Sequence, residues 1–346
     1  MPVNLPVTRY SGSKRKLISL IWHHLNVLGL EFDSVLDVFG GTGTFAYFAK
    51  RENKQVIYND IFRFNYLIAQ ALIGNNRNPL SQESALALLE EHPETNYASY
   101  VADNFEGIYY PNDENKVIDI AVQNIMNLAT PEERASGFYL LFQSCIIKRP
   151  YNLFHRKNLN LRTNYSGGTF GNKVTWEKSF HHLFSKFSTE LTRFNFDNNR
   201  HNIILNTSAL DCEVNADLVY IDPPYFQEKG HVTYHAKYHF LEGLANYELI
   251  PSSINHNKIN KEISINNSGE FESRNQFRDE LATLIGLHAN SIIVISYRNN
   301  GVPTISEIAD LLRVVKANVN VINLGAYSYA LSRTNAVNEE VLIIGS

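Results

Sequence analysis

Cysteine is scarce in this chain: Cys145 and Cys212 are the two among 346 residues. Two thiols so far apart provide neither a disulfide framework nor metal-ligand spacing, so a reducing cytoplasm is the expected setting, with no metal. Both read as core thiols. Long apolar runs are also missing. No stretch approaches the roughly eighteen residues a membrane helix needs. The basic amino terminus does not read as a secretory signal, because Ser11 to Lys16 interrupts any apolar core there. No internal repeat is visible. A net charge of −4 argues against whole-surface attraction to a polyanion, which leaves the distribution of charge to decide.

One segment lacks acids altogether. From Arg134 to Trp176 there is no Asp or Glu, yet Arg134, Lys148, Arg149, Arg156, Lys157, Arg162 and Lys173 all occur. Tyr151, Phe154, Tyr165, Phe170 and several asparagines are interleaved with them, along with turn signals at Gly167, Gly168 and Gly171. Phosphate contact needs cations and base-edge contact needs Asn or Arg, so this segment is expected to touch DNA.

The most informative residues are Asp222-Pro223-Pro224-Tyr225, delivered by the apolar run Leu218 to Ile221. The lone pair of an exocyclic amine is delocalised into its ring, so attack on a methyl donor needs acceptors that stabilise developing positive charge. Asp222 supplies a charged acceptor. Pro223 offers a carbonyl from a backbone already restricted in φ. Tyr225 supplies a stacking platform. Upstream, Ser34 to Phe39 reads as a buried strand, Gly40-Gly41-Thr42-Gly43 as a tight turn, and Thr44 to Lys50 as an amphipathic helix. Glycines allow close backbone approach and the helix start exposes amides, so this unit reads as a nucleotide-sized cradle. A second strand, Gln55 to Asn59, ends at Asp60, placed to accept hydrogen bonds from ribose hydroxyls. Gly41, Gly43 and Ala46 also satisfy a loose dinucleotide pattern, but a nicotinamide enzyme would leave the later tetrapeptide unexplained.

Tyr10-Ser11-Gly12-Ser13-Lys14, the Asp37 to Gly43 segment, Asp60 and Asp222 to Tyr225 occur in the order found in Dam-like, alpha-order DNA adenine-N6 methyltransferases, and the chain resembles that family over most of its length. Ser296 to Gly301 and Glu339 to Ile344 resemble the closing strands of its restriction-associated branch. The resemblance implies S-adenosylmethionine as donor, with Tyr10, Lys14, Asp60 and Asp222 at donor-contacting positions and Lys14 as partner for the methionine carboxylate. Asp37, Phe39, Gly41 and Gly43 would lie along the donor. Thr207, within Asn206-Thr207-Ser208, falls where the family places an adenine-ring contact, without the usual acidic and aromatic pair. The implied catalytic set is Asp222, Pro223, Pro224 and Tyr225, and the expected DNA contacts are Lys148, Arg149, Arg156, Lys157, Arg162 and Lys173. The implied substrate is a flipped adenine in double-stranded DNA, with a cognate restriction endonuclease as a possible partner.

The expected fold is α/β, a Rossmann-like methyltransferase sheet that is mostly parallel with an antiparallel edge strand and carries an inserted, mainly helical target-recognition module. Residues 1–63 and 200–346 would form the catalytic domain, and 64–199 the insertion. Strands are expected at 34–39, 55–59, 202–206, 217–222, 291–296, 318–323 and 341–344. Helices are expected near 14–28, 176–193, 238–249, 277–288 and 304–315, with a further start at Thr130-Pro131-Glu132-Glu133. Ser252 to Asn275, rich in Asn, Ser, Lys and Glu, reads as a mobile surface insertion. Tyr234, His235, Lys237, Tyr238 and His239 could line the extruded base, although histidines are more often ordinary polar or core residues than catalytic ones.

Several readings compete with adenine methylation. Cytosine-N4 transfer usually carries Ser at position 222 and protein-glutamine transfer Asn. Neither cysteine follows a proline as a cytosine-C5 nucleophile would. A catalytically silent DNA-binding module with a relic pocket, or an RNA substrate, would share much of the pattern.

Overall fold

A computed structural model describes residues 6, 13–164, 173–226, 232–265, 270–326 and 339–346. Its centre is a seven-stranded sheet. The strands are β1 (Ser34–Asp37), β2 (Gln55–Asn59), β3 (Ile203–Leu205), β4 (Leu218–Ile221), β5 (Ile292–Arg298), β6 (Val319–Ala326) and β7 (Glu339–Gly345), in the spatial order β3-β2-β1-β4-β5-β7-β6. The first five are parallel. β7 runs antiparallel to both β5 and β6, so the reversed strand lies one place in from the edge. This is the expected mostly parallel α/β architecture, except that the antiparallel strand, expected at the edge, is flanked by β5 and β6.

The strand sequences explain the burial. β4, Leu-Val-Tyr-Ile, is buried at every residue, as a central parallel strand covered on both faces must be. Alternation then sorts side chains into two cores. Val35, Val56, Tyr58, Leu218, Tyr220, Val294 and Leu342 join the larger apolar cluster, while Leu36, Ile57, Val219, Ile221, Ile293 and Ile343 join a smaller one. The smaller cluster includes Phe277, Leu281, Leu284 and Ile285 of the helix Phe277–Leu287 and Ile308 and Leu312 of the helix Ile305–Arg313. The larger includes residues of the helices Ile18–Val27, Thr44–Arg51, Arg63–Ala69, Asn112–Met126, Pro131–Ile147, Phe180–Phe194 and Tyr234–Ala245. Between residues 64 and 199 the described chain is mainly helical, and it shares this continuous apolar cluster with the sheet.

Helix starts follow their caps. Thr130 and Glu133 form a reciprocal capping box, with Glu133 N donating to Thr130 Oγ1 at 3.2 Å and Thr130 N donating to Glu133 Oε2 at 3.0 Å. The helix expected from Trp176 starts instead at Phe180, because the Ser179 hydroxyl accepts from His182 N at 3.1 Å and ends the preceding short turn. From there Phe180, Leu183, Phe184, Phe187 and Leu191 are buried in one apolar stripe. Asp217 joins the starts of β1 and β4, its Oδ2 accepting from Asp33 N and Ser34 N, each at 2.8 Å.

The expectation of a surface insertion at 252–275 is corrected. Ile263 and Ile265 are buried in the larger core and Phe271 in the smaller, and Ile254 pairs with Ile263 in an isolated antiparallel bridge. These apolar residues are spaced singly among polar ones, so neither strand nor helix periodicity marks them. No helix among the described residues is long and apolar enough to cross a membrane.

Candidate active site

β1, β2 and β3 lie to one side of the β1–β4 junction, and β4 and β5 to the other. Chain order therefore reverses between β1 and β4, and a crevice opens beyond their carboxyl ends. It encloses about 1250 Å³ of empty space including its open mouth. One wall is Asp37 to Thr42, Thr44 and Phe45, and the other is Asp222 to Tyr225 with Tyr234. The glycine turn and the Asp-Pro-Pro-Tyr corner therefore face the same cleft. Val38 N donates to Tyr220 O at 3.1 Å, and Phe45 stacks on Tyr220 at 3.9 Å between ring centres, so the two walls are joined behind the cavity.

The glycines are required by close contacts. Gly41 and Gly43 have φ of 50° and 67°, in the left-handed region. A Cβ on Gly40 would sit 2.0 Å from Tyr58 Cε2, because that ring packs against the turn while its hydroxyl donates to Gly41 O at 2.8 Å. Gly43 is buried behind the turn and precedes the helix Thr44–Arg51. Asp60 closes the turn from β2: its Oδ2 accepts from Gly41 N and its Oδ1 from Phe62 N, each at 2.8 Å. Burial pushes its carboxyl up to about 6, with the bonds from Phe62, Asn65 and Gly41 pulling the other way.

The opposite corner is an ion cluster. Lys14, 3% exposed, lies 2.9 Å from Asp222 Oδ1 and 2.8 Å from Glu340 Oε1, and also donates to the Tyr225 hydroxyl. That hydroxyl in turn donates to Asp222 Oδ1 and lies 3.2 Å from Glu340 Oε1. Asp222 Oδ1 is thus held twice, while among the described residues Oδ2 takes no hydrogen bond and the side chain is 18% exposed on the cleft wall. Burial raises the Asp222 carboxyl, Lys14 opposes that, and Glu340 adds to it. Asp37 is raised well above the carboxylate range, first by burial and then by repulsion from Asp222. A cation between them would relieve that repulsion.

Of the residues singled out in the sequence, Lys14, Asp37, Phe39, Gly41, Asp60 and the whole tetrapeptide line this cleft. Tyr10 lies outside the described residues, as do Tyr165 to Phe170 and Gly171. Thr207 is not on the cleft wall. Its backbone exchanges two 3.1 Å bonds with the Asn59 side chain, and Ala209 faces the cavity instead. Lys14 gives its ammonium to Asp222, Glu340 and Tyr225, and among the described residues the hydroxyls of Ser13, Thr42 and Thr44 lie beside the glycine turn. The sequence reading missed Glu340. Its only signal was an acid at the head of the apolar run Val341 to Ile344.

The expected DNA contacts divide. Lys148 and Arg149 are 1% and 0% exposed. Lys148 and Arg162 both pair with Glu114, at 2.9 and 2.8 Å. The Arg149 guanidinium lies 4.4 Å from the Tyr109 ring centre and bonds the carbonyls of Leu153 and Arg156 at 3.0 Å. These three cations hold the fold and are corrected as phosphate contacts. Arg156 and Lys157 are exposed, and Lys173 is partly exposed. His235 is 3% exposed and His239 wholly buried, so both are core residues. His239 Nδ1 accepts from Ile263 N at 3.0 Å, Nε2 lies 2.8 Å from the Tyr109 hydroxyl, and burial lowers its pKa to about 3. No cluster of metal-ligating side chains occurs among the described residues.

Comparison with known proteins agrees with this geometry. The sequence pattern of the family described as D12 class N6 adenine-specific DNA methyltransferase matches residues 10–282. The chain is 29% identical over 227 residues to the type II methyltransferase M2.HphI of Haemophilus parahaemolyticus, covering 64% of this chain and 66% of that protein. It is 28% identical over 332 residues to the modification methylase StsI of Streptococcus sanguinis, covering 88% of this chain and 46% of that one. With the type II methyltransferase M.NlaIII of Neisseria lactamica it shares 28% over 250 residues, 69% of each. This chain thus spans about half of the StsI methylase and just under two thirds of M2.HphI.

Proposed function

The chain belongs to the D12 class of N6 adenine-specific DNA methyltransferases, and on that premise we propose that it methylates N6 of an adenine flipped out of duplex DNA, at a specific sequence, as the modification partner of a restriction endonuclease. The names of the modification methylases StsI and LlaI support the last part. One observation carries the catalytic part. Asp222 has one oxygen fixed by Lys14 and Tyr225 and the other unengaged among the described residues, on the wall opposite a glycine turn that can receive a nucleoside.

S-adenosylmethionine is the proposed donor, and it supplies an electrophilic methyl group on a positively charged sulfur. The residues fit it. Asp60 would face the ribose, Gly40 and Gly41 would let the backbone come close, Ser13, Thr42 and Thr44 would face the methionine end, and Asp37 with Asp222 would suit a cation between them. On the other wall, Asp222 Oδ2 and the Pro223 carbonyl accept the two N–H bonds of the amine and turn its lone pair toward the methyl group. Positive charge then grows on the nitrogen, and the anionic corner stabilises it. The proton becomes acidic once nitrogen carries the methyl group, so no strong base is needed. Tyr225 presents its ring to the base, and its hydroxyl, anchored in the ion cluster, fixes the tilt of that ring. Positioning and electrostatics supply most of the acceleration.

Residues 64–199 form the proposed target-recognition region, with Arg156, Lys157 and Lys173 as its remaining candidate phosphate contacts. The test is transfer of tritium from labelled donor to duplex DNA, followed by digestion to nucleosides. Label in N6-methyladenine, lost in Asp222→Ala, is the expected result. Label in N4-methylcytosine, or donor binding without transfer to any DNA, would overturn it.

A further inference from the structure

Glu340 lies beyond residues 10–282, the part of the chain the family pattern matches, yet from the head of β7 it reaches the ion cluster behind the cleft wall. Its side chain is wholly buried. Oε1 accepts from Ser296 Oγ at 2.7 Å on β5, lies 2.8 Å from Lys14 Nζ, and meets the Tyr225 hydroxyl at 3.2 Å. Arg298, its register partner on β5, directs its Nε to Asn300 Oδ1 at 2.6 Å.

A carboxylate buried this deeply is costly unless it is paired, and the Lys14 ammonium pairs with both Glu340 and Asp222. The same contacts hold the Lys14 ammonium and the Tyr225 hydroxyl on Asp222 Oδ1, which keeps Oδ2 turned to the cleft.

We infer that Glu340 is a positioning residue for methyl transfer, acting through Lys14 and Tyr225 to fix Asp222. The inference rests on the transfer reading above and adds a residue to it.

The test compares Glu340→Gln, which keeps size and one acceptor but removes charge, with Glu340→Asp, which keeps the charge on a shorter arm. In the full chain, Glu340→Gln is expected to lower kcat about tenfold, less than loss of a directly contacting group costs. KM for DNA and donor should stay within about twofold and the melting temperature near that of the wild type. Glu340→Asp should recover part of the rate. Ser296→Ala, which leaves both charges in place, should cost less than Glu340→Gln and covers the case in which that variant fails to fold. A Glu340→Gln enzyme with wild-type kcat overturns the inference, as does a loss in which KM, kcat and melting temperature change together without rescue by Asp. Absence of transfer by the wild-type protein overturns the underlying function, and with it this role.

Discussion

Asp222→Asn isolates the proposed catalytic group with almost no change in volume. In the native corner, Oδ1 accepts from both Lys14 and Tyr225, so an asparagine there must place its carbonyl oxygen on those two donors. Its NH2 then occupies the Oδ2 position facing the cleft and opposes the N–H bonds of the amine. The substitution removes the negative charge and converts an acceptor into a donor. Loss of one preorganised electrostatic group costs about 2.7–4 kcal/mol in the transition state, or roughly 10²–10³ in kcat, and the reversed polarity places the expectation at the upper end. Lys14 keeps Glu340 at 2.8 Å, so no ammonium is left buried and unpaired, and the melting temperature should change little. Single-turnover transfer from labelled donor, with DNA binding measured separately, is the assay. A rate within tenfold of wild type at equal DNA binding would refute both the orientation and the role.

Gly40→Ala should lower donor affinity and melting temperature together, because the new methyl would sit 2.0 Å from the Tyr58 ring that supports the turn. Calorimetric titration with S-adenosylhomocysteine and a thermal melt check it, and unchanged binding would remove the turn from the donor site. Arg156→Ala with Lys157→Ala should reduce the slope of log affinity against log salt by about 2 for duplex DNA without destabilising the fold, whereas Arg149→Ala should cost about 1–3 kcal/mol of stability by leaving the Leu153 and Arg156 carbonyls without their donor. An unchanged slope in the double variant would exclude that pair from the DNA face. Glu242, which accepts from Arg63 N and Phe64 N at 3.1 Å each, is pushed by burial to about 7 from an ordinary 4.5. The folded state therefore keeps this proton longer than the unfolded chain. Its contribution to stability is fullest below 4.5 and falls as pH rises to about 7, by about 3 kcal/mol as an upper bound. Melts between pH 5 and 8 should show a smaller pH dependence in Glu242→Gln, and parallel curves for the two proteins would contradict that.

Local physics determined much of this protein directly from the order of its residues. Buried strands are legible as short apolar runs, the turn after β1 as glycines that alone tolerate its φ values and its contact with Tyr58, and the helix at Pro131 as a capping box. Asp-Pro-Pro-Tyr is legible because it is a contiguous piece of chemistry at a strand end. Tertiary packing decided which charges face solvent. Lys148, Arg149 and Arg162 share a segment with Arg156 and Lys157, but Glu114 and the Tyr109 ring draw the first three inward, and no spacing rule foretells a partner on another helix. It likewise buried Ile263 and Phe271 within a polar stretch, enclosed His239 in the core, and brought Glu340 near one terminus to Lys14 near the other. The physical reason is common to all four cases: whether a side chain is buried, and at what cost if it is charged or polar, depends on which groups the fold brings around it, and that neighbourhood is absent from the linear sequence.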